Sequence, residues 1–169
     1  MRFAYADPPY HKQGRRRYGD HHPDAAVWDS KQQHLDLITQ LVTDFPDGWV
    51  LSCNPGDLRW LLPATPEGTR VCAWTKTFHQ IRPTSVQFAW EPVLLYGGRK
   101  ESNRVPMVRD WHNGKPTRLT GLPGAKPDAF NEWVLNLLNY HEGDDLVDLY
   151  PGTAGMQHAV DRLNLWRLG

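Results

Sequence analysis

Cysteine is nearly absent: Cys53 and Cys72 are the only two, each inside an apolar stretch and without a second cysteine or a histidine at short spacing. A disulfide framework and a thiolate zinc site are therefore not expected, and no metal is called for. Two reduced core thiols of an intracellular protein are the natural reading. Long hydrophobic runs are missing as well, since no segment approaches the roughly 20 apolar residues of a membrane span. Met1-Arg2-Phe3-Ala4-Tyr5-Ala6 passes directly into a polar loop, unlike a signal peptide, so a cytoplasmic location is expected. Nor does charge of one sign dominate: 19 basic and 19 acidic residues leave a formal net charge of zero. That argues against a protein that coats nucleic acid by neutralising phosphates. It leaves room for an enzyme that touches nucleic acid through one local basic patch.

What the chain does have is aromatic bulk, with 8 Trp, 6 Tyr and 5 Phe in 169 residues, enough for one core and a single domain over 1–169. Residues 2–6 read as a buried strand. His34 to Phe45 places Leu35, Leu37, Ile38, Leu41 and Val42 on one helical face. Trp49–Cys53 reads as a second strand, Asp57–Leu62 as a short helix, Arg70–Thr75 and its continuation as a third strand, and Val86–Tyr96 as a fourth. Pro92, in the middle of that fourth run, implies an edge, a bulge or a break. Pro127–Tyr140 is helical with Phe130, Val134, Leu137 and Leu138 on one side, Asp145–Tyr150 is a strand, and Met156–Leu163 is a helix. Strands and helices alternate, so the expected class is an α/β sheet with helices on both faces. Loops 11–33 and 98–125 are polar and without period, long enough to be candidate substrate-recognition elements.

Asp7-Pro8-Pro9-Tyr10 follows the first strand, so it falls where open α/β sheets bind ligands. An exocyclic amine on a base is a poor nucleophile because its lone pair is delocalised into the ring. A carboxylate and a backbone carbonyl that accept its two N–H bonds would localise that lone pair. Prolines stiffen such a loop, and the aromatic ring that follows could stack on a base rotated out of its helix. The segment Phe3-Ala4-Tyr5-Ala6-Asp7-Pro8-Pro9-Tyr10 resembles the S-adenosylmethionine-dependent adenine-N6 methyltransferases of DNA and RNA, in the branch related to the mRNA adenosine methyltransferases. The resemblance continues through Trp49–Cys53, Trp74-Thr75-Lys76 and Trp90-Glu91-Pro92-Val93-Leu94-Leu95-Tyr96-Gly97, in the family's order. Taken by themselves, Lys76 and Glu91 are equally compatible with solvated charges, and Trp74 and Trp90 read better as core than as base-stacking rings.

Two later segments resemble the cofactor site of the same enzymes. Lys126-Pro127 opens a helix, and Asp148-Leu149-Tyr150-Pro151-Gly152-Thr153-Ala154-Gly155 resembles their strand-to-helix loop. Small residues there let backbone approach a ligand, and the following helix N-terminus offers free N–H donors. The resemblance implies a Rossmann-like methyltransferase fold in circularly permuted motif order, with S-adenosylmethionine as cofactor. It further implies a catalytic segment of Asp7, Pro8, Pro9 and Tyr10. Ala6, Asp7, Lys126, Asp148, Tyr150, Pro151, Gly152, Thr153 and Gly155 would bind the cofactor. His11, Lys12, Arg15, Arg16, Arg17 and Lys76 are candidate substrate contacts, with Tyr18, His21 and His22 beside them.

Three departures stand out. Ala154 replaces the family's second glycine, and Leu149 a proline. The acid that ends the next strand and binds the cofactor ribose has no counterpart after Asp161, which itself falls in a helix. The leading expectation is methyl transfer to adenine N6 in DNA, in preference to RNA, with homo- or hetero-oligomers possible. The missing acid favours a second reading, a weak or inactive module that binds nucleic acid or a partner subunit. Cytosine-N4 transfer is a third, although Ser more often replaces Asp7 in that chemistry.

Overall fold

The computed structural model describes residues 1–19, 23–77, 85–102, 104, 107–114 and 125–166. Six strands form one sheet: β1 (Arg2–Ala6), β2 (Gly48–Ser52), β3 (Arg70–Lys76), β4 (Trp90–Gly97), β5 (Trp111–Gly114) and β6 (Asp145–Asp148), in spatial order β5-β3-β4-β2-β1-β6. β1 lies parallel between β2 and β6, which explains why its run is apolar on both faces. β4 runs antiparallel to both β2 and β3, and β5 pairs parallel with β3.

Side chains alternate across this sheet with period two. Phe3, Tyr5, Val50, Trp74 and Val93 pack under α4 (Asp128–Leu138) and α5 (Gly155–Trp166). Ala4, Ala6, Trp49, Leu51 and Leu94 meet α2 (Lys31–Asp44) and α3 (Leu58–Leu61) on the other face. Helices thus cover both faces, as expected. Cys53 and Cys72 are free and buried, and burial pushes the Cys72 thiol up to about 12 and that of Cys53 higher still.

Several elements differ from their sequence reading. The loop expected over 11–33 contains α1 (Gly14–Tyr18), a 3-10 turn (Pro23–Asp29) and the start of α2, which Ser30 caps by accepting Gln32 N–H at 3.2 Å. α1 is too short to show a period. Tertiary contact holds it: the Asp29 carboxylate accepts Gly14 N–H at 2.9 Å, and a Cβ on Gly14 would stand 1.9 Å from the Ala25 carbonyl oxygen. In α2, His34 turns inward with Leu37, Ile38 and Leu41, while Val42 faces solvent. The loop expected over 98–125 contains β5, a strand of four residues with no apolar alternation.

Pro92 is the clearest correction. It lies in β4, an interior strand, opposite Ala73 of β3. Its carbonyl accepts Cys53 N–H at 3.1 Å, just past the last residue of β2. The donor that proline lacks therefore falls where the β2 ladder runs out, so the ring costs no interior bond. Trp74 is core, whereas Trp90 at the start of β4 is 37% exposed.

Candidate active site

Because β1 and β6 are parallel neighbours, the loops that leave their C-terminal ends emerge side by side. Leu149 N–H donates to the Tyr5 carbonyl at 3.0 Å, which joins the two strand ends. Segments about 140 residues apart in sequence thereby share one cavity of about 510 Å³. Tyr5, Asp7 and Pro9 line it from the β1 side, and Asp148 through Thr153 with Gly155 and Met156 line it from the β6 side. Trp28 and Tyr150, edge to face at 5.2 Å, form another part of the wall.

Asp7 stands at the centre of a compact ion cluster. Lys126 Nζ lies 2.9 Å from Asp7 Oδ1 and 2.8 Å from Oδ2, and 3.6 Å from Glu91 Oε2. Glu91 also accepts the Tyr10 hydroxyl at 2.8 Å and forms an ion pair with Lys76. Two carboxylates thus face two ammonium groups, and the cluster is neutral. Burial pushes the Asp7 carboxyl up against the opposing pull of Lys126. Burial acts on Glu91 in the same sense, but Lys126, Lys76 and the Tyr10 hydroxyl outweigh it and hold Glu91 low. Lys126 is held charged by Asp7 and Glu91 in spite of its burial. Its ammonium also sits over the rings of Tyr10, Trp74 and Phe130 at 5.5–5.8 Å.

The other sequence-derived residues fall in distinct places. Pro8 is buried, Ala6 lies in the core beneath the loop, and Tyr10 is anchored through its hydroxyl. Lys76 belongs to the ion cluster, not to a solvated surface. His11 packs inward, 5.6 Å from the Trp60 ring and 3.6 Å from the Asp57 carboxylate. Lys12, Arg15 and Arg16 are exposed, and Arg17 is half-buried. Tyr18 lines the cavity. His21 and His22 lie outside the described residues. In the β6 loop, Gly152 and Ala154 take left-handed backbone with φ of +46° and +59°. Asp148 accepts Tyr150 N–H at 3.0 Å and so shapes that loop from within. Asp161 lies in α5, as expected.

Trp28, Asn131 and Glu91's central role were not singled out from the sequence. Asn131 did leave a signal, a polar residue within the apolar stripe of α4. Trp28 left none, because its 3-10 turn has no repeat to read.

The architecture is that of a Rossmann-like methyltransferase fold, a six-stranded sheet with helices on both faces and a strand-end cavity. Among solved structures the chain is similar to M1.HpyAVI in complex with SAM, with a TM-score of 0.57, 16% identity, and coverage of 97% of this chain and 79% of that one. It is likewise similar to M1.HpyAVI alone, with a TM-score of 0.57, 16% identity, and coverage of 95% and 76%. No protein-family model and no curated protein matches the sequence.

Proposed function

We propose that this chain transfers a methyl group from S-adenosylmethionine to the exocyclic N6 amine of adenine in DNA. The observation that carries the proposal is the position of Asp7, a partly buried carboxylate on the cavity wall shared by the β1 and β6 loops. The cavity's size falls in the usual range for small-ligand sites. The first turn of α5 has N–H groups without intrahelical partners, suited to a carboxylate. The site therefore fits the cofactor, which supplies an electrophilic methyl group on a sulfonium.

Asp7 and the Pro8 carbonyl do the work on the amine. Among the described residues only Lys126 bonds the Asp7 carboxylate, and no hydrogen bond to the Pro8 carbonyl is made. Both acceptors are thus available to two N–H groups of one amine, once Lys126 shifts toward Glu91, 3.6 Å away. Burial raises the basicity of Asp7, which suits it to take the proton that the methylated amine sheds. Lys12, Arg15 and Arg16, exposed beside the loop, are the proposed phosphate contacts.

The test is mass spectrometry of nucleosides from DNA and RNA incubated with the chain and S-adenosylmethionine. N6-methyladenine in DNA, lost in Asp7→Ala, is the expected result. N4-methylcytosine, modification confined to RNA, or no modification would overturn the assignment.

A further inference from the structure

α4 carries one polar side chain in its buried stripe. Asn131 is 2% exposed and is flanked by Phe130, Val134 and Leu135, all fully buried. Its backbone N–H donates to the Pro127 carbonyl at 3.2 Å, but its carboxamide makes no hydrogen bond among the described residues. A carboxamide within an apolar stripe is unusual unless it serves a polar partner, so its place there calls for an explanation. The carboxamide lines the cavity. Its Nδ2 lies 2.8 Å from where a side chain at Gly155 would begin. Gly155 opens α5, a helix of 12 residues. The absence of a side chain at Gly155 leaves room for the amide beside the first turn of that helix, where the leading N–H groups have no intrahelical partners.

An unpaired amide and a helix N-terminus that converge on one point form a site for an anion. The cofactor has a single anionic group, the carboxylate of its amino-acid end. We infer that Asn131 is a cofactor-binding residue, its Nδ2 donating to that carboxylate beside the first turn of α5. The inference rests on the methyltransferase reading above and adds a residue and a contact to it. Both amide atoms suit a zwitterion, because Oδ1 can accept from the neighbouring ammonium while Nδ2 donates.

Calorimetry with two ligands tests it. S-adenosylhomocysteine has the amino-acid end, and 5′-methylthioadenosine keeps the adenosine and sulfur but lacks that end. In Asn131→Leu, binding of S-adenosylhomocysteine should weaken about tenfold, as expected for a lost hydrogen bond to a charged group, while 5′-methylthioadenosine binds as before. Asn131→Asp keeps the shape and sets a carboxylate against a carboxylate. It should weaken S-adenosylhomocysteine at least as much, with the far-UV spectrum and melting curve confirming a folded chain. Unchanged affinity for S-adenosylhomocysteine in both variants, or an equal loss for both ligands, overturns the role of Asn131 and leaves the methyltransferase reading standing. Failure of the unaltered chain to bind either ligand overturns that reading, and this inference with it.

Discussion

Two carboxylates at opposite ends of the β1–β6 pair have opposite environments. Asp144, just before β6, is 4% exposed and takes hydrogen bonds from the N-terminal ammonium at 2.7 Å, from Arg99 at 2.6 and 2.8 Å, and from His141 N–H at 2.8 Å. Burial alone would raise it, but those donors outweigh burial and hold its carboxyl down at about 2. Asp7, just after β1, is 19% exposed, has Lys126 as its one described donor, and is pushed up by burial. A carboxylate saturated with donors fastens the chain. One with unused acceptor capacity, facing a cavity, is fitted to take a substrate N–H. Burial is common to both, so the donor count makes the difference.

That contrast breaks most visibly at Asp7. Asp7→Asn should lower methyl transfer about 10³-fold, while stability at neutral pH changes little, because relief of a carboxylate whose pKa burial raises offsets the loss of its pair with Lys126. Single-turnover assays and melting curves read both. A large loss of stability would place Asp7 with Asp144 as a fastening residue.

Lys126→Met comes next. It strands Asp7 and half of Glu91's support, at a cost of about 3 kcal/mol by the usual penalty for breaking a buried pair, which denaturant unfolding measures. The pH profile supplies a second readout. In the proposed reaction Asp7 must be ionised, so the acid limb should lie above the ordinary aspartate value. Loss of the lysine that lowers this pKa should move the limb higher still. A limb that stays in place would show that Lys126 does not act on Asp7.

Asp144→Asn should cost about 2 kcal/mol at pH 7 and leave transfer intact. Asp144's folded pKa is depressed, so its contribution is present above the ordinary value of 3.8 and is lost as pH falls toward about 2. In the variant the stability curve should be flatter across that window. The smallest effect is expected at Ala154, whose φ of +59° carries a left-handed penalty that glycine avoids. Ala154→Gly should stabilise by about 0.5–1 kcal/mol, visible as a small rise in melting temperature.

Much of the fold was legible because periodicity survives in long elements. The buried run of β1, the amphipathic stripes of α2 and α4 and the order of the major strands all follow from it. The short pieces were not legible: α1 depends on Asp29 and on the fit of Gly14 against Ala25, and β5 on an edge offered by β3. In the site, the Asp7 loop and the Gly152 loop could be picked out as motifs. Lys76 and Glu91 could not be told from solvated charges, since nothing local says that β3 and β4 bring them to Tyr10 and Lys126.

The sequence alone determined the alternation of strand and helix, the reduced buried cysteines and the residue types on the two loops, because those depend on neighbours a few positions away. Tertiary structure decided that the two loops share one cavity, that Asp7 meets a lysine 119 residues distant, and that Asn131 faces the start of α5 with its amide unpaired. Those outcomes depend on strand order and on which helix covers which face. Both are set by packing across the whole sheet, and no local pattern encodes them.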